Sequence, residues 1–210
     1  MGTNSDIEQG ACDAQSAASA PSTLRVALGA PRKVLFLRDF CTRPQGSICM
    51  KCIEACPKEA IAIANASAAV DSHACTKCGI CVGVCDGFAI PGASIEAVFS
   101  QMRKIALTGE KVILTCSYLF PSSFTPANNV IVLPCLAMLP PELWTCALAP
   151  GTALAVAVIF EECEACKRTK AQGLERFSRA IEQAEDATEC TVAFTGDVPE
   201  AQVAPTLMQT

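Results

Sequence analysis

The sequence predicts two successive folding units: an α+β unit wound around clustered cysteines, then a small α/β unit with a parallel sheet. Three observations carry that expectation. Fifteen cysteines occur in 210 residues, and seven of them fall in two tight sets between positions 49 and 85. The second set repeats the first at a constant offset of 29 residues, pairing Cys49, Cys52 and Cys56 with Cys78, Cys81 and Cys85. From Ser94 onward the cysteine-rich loops give way to helical patterns alternating with short β-branched apolar runs.

The densest motif is Cys75-Thr76-Lys77-Cys78-Gly79-Ile80-Cys81-Val82-Gly83-Val84-Cys85, spaced C-x2-C-x2-C-x3-C. Three thiolates this close wrap one iron-sulfur cube, and the fourth, displaced by an extra residue, reaches toward a second. In the upstream set Pro57 follows Cys56, and Ala60-Ile61 recurs at the same offset as Ala89-Ile90. Over residues 30–92 these features resemble the bacterial two-[4Fe-4S] ferredoxins. The resemblance implies an α+β ferredoxin-like dicluster domain holding two [4Fe-4S] clusters. Carried onto this chain, it assigns Cys41, Cys49, Cys52 and Cys85 to the first cluster. Cys75, Cys78, Cys81 and Cys56 go to the second.

Two departures from that family stand out. Seven residues separate Cys41 from Cys49 where the family has two, and Gly46 occupies the position where the repeat would place a cysteine. Residues 42–48 must therefore fold back, a course that Pro44 and Gly46 suit. Without Cys41 the first site would keep three ligands and suit a cuboidal three-iron centre. Asp86 replaces a proline common in the family, with little bearing on ligation.

Structural zinc is the main alternative for paired CxxC steps, since tetrathiolate sites are built from two such pairs. It gives no reason for a third cysteine at the same step or for a shared register. A disulfide scaffold would be short and led by an export signal. Residues 1–23 are polar and small, without a basic start and apolar stretch; residues 1–29 read as a disordered tail, and residues 199–210 as a second tail. No twin-arginine pair appears, so a cytoplasmic location is expected. Residues 131–160 carry only Glu142 as a charge, yet Pro134, Pro140, Pro141, Pro150 and Gly151 cut them into pieces shorter than the roughly 20 residues of a membrane span.

The composition, 51% hydrophobic and 18% charged, is ample for a packed core. Net charge is −5 and unevenly placed. Residues 30–92 hold seven basic against five acidic side chains, and residues 93–210 hold eight against thirteen. Nothing in this distribution forms a nucleic-acid footprint. Lys51 and Lys77 lie inside CxxC steps, where a cation favours the reduced cluster; the alternative is a solvated surface lysine. An apolar shell of Ile48, Ile53, Ile61, Ile63, Ile80, Val82, Val84, Phe88 and Ile90 excludes water and so disfavours the more charged cluster state.

Element by element, a strand is expected at 33–37, a short helical turn after each cysteine set, and strands at 60–64 and 69–71. Such short segments depend on cluster binding for much of their folding free energy. A helix follows Ser94 as cap, with Ile95, Val98, Phe99, Met102, Ile105 and Ala106 on one face and Gly109 at its end. Strands are expected at 112–116, 130–135 and 154–160, with a helix at 141–148 between the last two. A final helix after Cys166 turns Leu174, Phe177, Ile181 and Ala184 inward, with Glu175 and Arg179 paired outside. A closing strand spans 191–194. The expected α/β unit covers 93–198.

That topology gathers Cys116, Cys135, Cys163 and Cys166 at the carboxyl edge of one sheet, where open α/β sheets bind ligands. They form a candidate third iron-sulfur site. The stretches 132–140 and 162–166 resemble, more loosely, the delta subunit of methyl-viologen-reducing hydrogenases. That family's domain carries a [2Fe-2S] cluster and passes electrons between a hydrogenase or formate dehydrogenase and a flavin-containing partner. Residues 116–119 depart from it, lacking additional cysteines.

The alternative is four buried thiols in apolar strands. Cys12, Cys146 and Cys190 read as non-ligands. A thiol-disulfide oxidoreductase using Cys163 and Cys166 is a rival from another class, but Glu161, Glu162 and Glu164 crowd that pair with negative charge. His73 is the only histidine, which excludes Rieske ligation. The expected function is an electron carrier, a subunit or adaptor whose redox partner is a hydrogenase, dehydrogenase or flavoprotein subunit.

Overall fold

The computed structural model describes residues 33–119, 125–149 and 153–198. The tails expected at 1–29 and 199–210, and Cys12 with them, lie outside the described residues. The chain is mixed α/β, with two small antiparallel pairs followed by a four-stranded parallel sheet.

In the first region β1 (Leu35–Phe36) pairs antiparallel with β4 (Phe88–Ala89), and β2 (Ile61–Ala64) forms a hairpin with β3 (Ser67–Val70). Asn65 and Ala66 connect that hairpin with φ of 50° and 57°. Positive φ at both loop positions matches the strand twist in a two-residue turn. Helices α1 (Lys51–Glu54) and α2 (Ile80–Val84) begin 29 residues apart, so the sequence repeat is also a backbone repeat.

These helices correct one expectation, because they lie inside the cysteine sets and not after them. The step from Cys52 to Cys56 is one helical turn, as is that from Cys81 to Cys85. Beyond each, the helix cannot continue. Pro57 disfavours helical geometry at Cys56, and Cys85 is extended, at φ −158° and ψ 123°, leading into β4.

Helix α3 (Ile95–Leu107) opens on Ser94, whose hydroxyl accepts from the Ala97 amide at 3.1 Å. It buries Val98, Met102 and Ile105 and gives way to Gly109 at φ 78°. The parallel sheet has the order β6-β5-β7-β8. Its strands are β5 (Val112–Cys116), β6 (Val130–Leu133), β7 (Leu154–Ala157) and β8 (Ala193–Thr195). The first three are buried at every position, as unbroken apolar runs in a parallel sheet require.

In the first region β1 keeps only 35–36 of the expected 33–37, and β3 runs 67–70 where 69–71 was expected; in the parallel sheet two strands are shorter than expected and one is shifted. β6 stops before Pro134, which has no amide to donate. β7 stops at Ala157, and Phe160 begins helix α5 (Phe160–Glu164) instead of ending a strand. Glu161 and Glu162 in that first turn favour the helix N-terminus. β8 closes the sheet at 193–195, where 191–194 was expected.

Helix α4 (Pro141–Leu148) and the long α6 (Lys170–Thr188) cover the sheet, with Trp144 set edge-on to Phe177 at 6.1 Å between ring centres. Phe177, Ile181 and Ala184 are buried, Leu174 packs partly against them, and Glu175 pairs with Arg179 on the exposed side.

One apolar core runs through both regions, from Cys52 and Ile80 to Phe177 and Val192. The join is close at α2. A side chain at Gly83 would overlap the Met138 carbonyl, and one at Gly79 would touch the Met138 side chain. Among the described residues no helix is long and apolar enough to cross a membrane.

Replacing Gly83 by Ala forces a methyl into backbone and should destabilise the protein by about 2–3 kcal/mol. The control Gly196→Ala meets nothing within 4 Å. Thermal unfolding of the two variants measures the difference, and equal midpoints would contradict the close approach.

Candidate metal centres

The loop between Cys41 and Cys49 folds back through a 3-10 turn at Arg43–Gln45, closed by Gly46 at φ 94°. The Ser47 amide returns to the Thr42 carbonyl at 3.3 Å, and the Cys49 amide to the Ser47 hydroxyl at 3.1 Å. Arg43 clamps the far side, donating to the Cys49 carbonyl at 2.5 Å and to the Met50 sulfur at 3.3 Å. These bonds bring Cys41 beside the first set. Burial raises the Cys52 thiol above its ordinary pKa, and the neighbouring Cys85, Cys49 and Cys41 raise it further. The four residues assigned to the first cluster thus share one electrostatic neighbourhood, Cys85 arriving from the second set.

Cys56 makes the reciprocal crossing. It lines one cavity with Cys75, Cys78 and Cys81, floored by Ile61 and Ile80 and enclosing about 370 Å³ including its opening to solvent. Burial pushes Cys81 up to about 12, with Cys78, Cys75 and Cys56 adding to the rise. The motif winds tightly here, because Lys77 and Gly79 both take left-handed backbone, at φ 59° and 87°. For lysine that conformation is strained, and such strain concentrates where a site dictates geometry. Backbone amides face the sulfurs: Ala60 reaches Cys56 at 3.3 Å and Gly87 reaches Cys85 at 3.4 Å.

The carboxyl edge of the parallel sheet collects the remaining quartet. Cys116 ends β5, Cys135 follows β6, Cys163 lies in α5 and Cys166 just beyond it. All four line one cavity of about 460 Å³, measured with its opening to solvent, together with Leu174 and Phe177. Cys135 is pushed up to about 12, first by burial and then by Cys116, Cys78 and Cys166. Cys78 belongs to the second quartet, whose cavity also includes Thr76. Cys146 is exposed on α4 and lines neither cavity, and the half-buried Cys190 lines neither as well.

Arg168 was not singled out by the sequence, although a cation two residues beyond Cys166 was visible. Its guanidinium donates to the Ser117 hydroxyl and the Pro134 carbonyl, each at 3.1 Å, and lies 5.6 Å from the Tyr118 ring centre. Its carbonyl accepts from the Thr76 hydroxyl at 3.0 Å. One residue therefore ties two strand ends to the Cys75–Cys78 loop.

The donor chemistry fits iron-sulfur centres: soft thiols in fours, apolar walls, and amide donors to sulfur. Among the described residues no three His, Cys, Asp or Glu side chains are placed to hold a single metal ion. Thiols around an iron-sulfur cube stand farther apart than thiols on one ion, so shared cavities are the relevant sign of fit.

Cys163 does not suit a nucleophilic role. Burial pushes it up to about 11, with Cys116, Cys166 and Glu162 adding to the rise, whereas reactive thiols lie well below 8.5. Compared with known proteins, the chain matches no protein-family model, no curated protein and no solved structure.

The raised thiols give the metal-free protein a pH signature. An unfolded thiol titrates near about 8.5, while folded Cys81, Cys135 and Cys163 hold their protons to about 12, 12 and 11. Their contribution to stability is complete below about pH 8.5 and is lost as pH rises toward 11–12. Metal-free protein should therefore unfold at lower denaturant at pH 10.5 than at pH 7.5. An unchanged midpoint would contradict the burial of these groups.

Proposed function

We propose that this chain is an iron-sulfur electron-transfer protein of the dicluster ferredoxin type, working in the cytoplasm as a subunit or adaptor of an anaerobic oxidoreductase complex. The observation that supports this reading is that Cys56, from the first set, lines one cavity with Cys75, Cys78 and Cys81, while Cys85, from the second, raises the pKa of Cys52. Neither a disulfide scaffold nor paired CxxC zinc sites calls for that crossing.

In this reading Cys41, Cys49, Cys52 and Cys85 hold one [4Fe-4S] cluster, and Cys56, Cys75, Cys78 and Cys81 hold the other. Bound there, such clusters supply one-electron redox chemistry. The chain's own residues set its terms. Ile80, Phe88 and Ile90, each no more than 3% exposed, exclude water. The Ala60 and Gly87 amides direct positive dipoles at sulfur, and Lys51 and Lys77 add charge that favours the reduced state.

Cys116, Cys135, Cys163 and Cys166 are proposed to hold a third iron-sulfur centre, supported by the cavity they share and by the Thr76–Arg168 hydrogen bond that joins its lining to that of the second quartet's cavity. The redox partner would be a hydrogenase, dehydrogenase or flavoprotein subunit. No side chain is assigned an acid, base or nucleophilic role.

Anaerobically purified protein should be brown and contain about eight irons from the two cubes, rising to about ten to twelve with the third site. Colourless protein with stoichiometric zinc would defeat the proposal. Cys41→Ala should convert or remove one cluster, read by electron paramagnetic resonance; an unaltered spectrum removes Cys41 from the ligands. Changing Cys163 and Cys166 together to Ser should lower the iron content, and a constant value excludes the third centre.

A further inference from the structure

The ligands proposed for the first cluster are flanked by large apolar side chains that the fold leaves in solvent. Phe40, beside Cys41, is 63% exposed, and Ile48, beside Cys49, is 89% exposed. Met50, on the other side of Cys49, and Leu37 are each 39% exposed. Elsewhere among the described residues the exposed large apolar side chains are Leu107, Tyr118, Ile159, Phe160 and Phe194, the last two paired beside the acidic turn of α5. Leu37 and Phe40 share the 3-10 turn that leads into Cys41, and Ile48 and Met50 flank Cys49 on either side. Exposed apolar groups gathered at one place mark an interaction site.

The rim has its own sign. Residues 33–54 carry four cations, Lys33, Arg38, Arg43 and Lys51, against the two anions Asp39 and Glu54. The whole chain has net charge −5, so the segment that carries these apolar residues is basic within an acidic protein. The second end of the molecule contrasts with it, since Glu161, Glu162 and Glu164 stand beside the third quartet.

Resting on the electron-carrier reading above, we infer that the face formed by Leu37, Phe40, Ile48 and Met50 is the docking site for a redox protein with an apolar centre and an acidic rim. Apolar contact excludes water and brings the partner's centre close to the first quartet. The cations around it steer the encounter and set its orientation. Only electron exchange occurs there, one electron leaving one protein and entering the other, with no bond made or broken. The insertion between Cys41 and Cys49 acquires a purpose in this arrangement, because the folded-back loop presents Ile48 outward while holding both cysteines inward.

The test uses the full chain with its iron content and spin spectrum first verified, so that loss of clusters is read separately from loss of docking. Protein without iron overturns both readings. Flavodoxin, a small acidic one-electron carrier, serves as the probe, and the basic cytochrome c as its counterpart. Transfer from the reduced protein to flavodoxin is followed by stopped flow, and the contact is mapped by carbodiimide cross-linking and mass spectrometry.

The rate to flavodoxin should fall about tenfold between low and high salt, and Arg38→Glu should lower it about tenfold at low salt. Phe40→Ser and Ile48→Ser should each weaken binding about tenfold with iron content and spin spectrum unaltered. Cross-links should involve Lys33 or Lys51. Unchanged binding in both serine variants, a preference for cytochrome c, or cross-links confined to other lysines would overturn the proposal. So would a dimer in sedimentation that Phe40→Ser dissociates, since a second copy would then own the face. An about tenfold faster transfer after deletion of residues 1–32 would likewise assign it to that segment.

Discussion

Twelve thiols in this protein stand in fours among apolar side chains, and that arrangement is tenable only if their charge is neutralised. Burial makes a lone thiolate costly, and it raises the pKa of Cys52, Cys78, Cys81, Cys116, Cys135 and Cys163. Ligation demands the opposite state. In the proposed reading iron would supply the positive charge that reconciles the two, and its binding would add to the folding free energy. The short elements of the first region, strands of two and four residues and helices of four and five, depend on tertiary support.

The two regions solve the same placement problem by different means. In the first, a 29-residue repeat sets a short helix within each cysteine set, and Cys56 of the first set lines the cavity of the second. In the second, parallel strands end at a common edge, and three chain segments far apart in sequence deliver four thiols to one cavity. Arg168 joins the solutions by bonding the strand ends and accepting the Thr76 hydroxyl. The Gly83 contact with Met138 closes the same interface from the core side. An electron path along the three quartets would need this rigidity, because transfer rates depend on fixed separation.

Much of this was legible in the sequence, for a physical reason. Ligand spacing is local, so the C-x2-C steps and their offset announced two quartets, and Pro44 and Gly46 announced the turn that returns Cys41. Helix α3 was legible through its cap, and α4 through proline at its first position. The carboxyl-edge quartet followed once the apolar runs were read as parallel strands. Less legible were features decided by distant neighbours. Phe160 belongs by composition to the strand before it, yet the acidic turn following pulls it into α5. The helices inside the cysteine sets were displaced by one turn in the expectation, since cysteine carries little helical preference. Arg168 showed only as a cation near Cys166 and Gly83 only as a residue between cysteines, because their roles exist across the interface.

The most direct measurement of the central claim is an anomalous difference map at the iron absorption edge, from crystals grown without oxygen. The account predicts iron density enclosed by Cys41, Cys49, Cys52 and Cys85, and again by Cys56, Cys75, Cys78 and Cys81. Disulfides linking those cysteines, or a solitary zinc in place of iron, would contradict it.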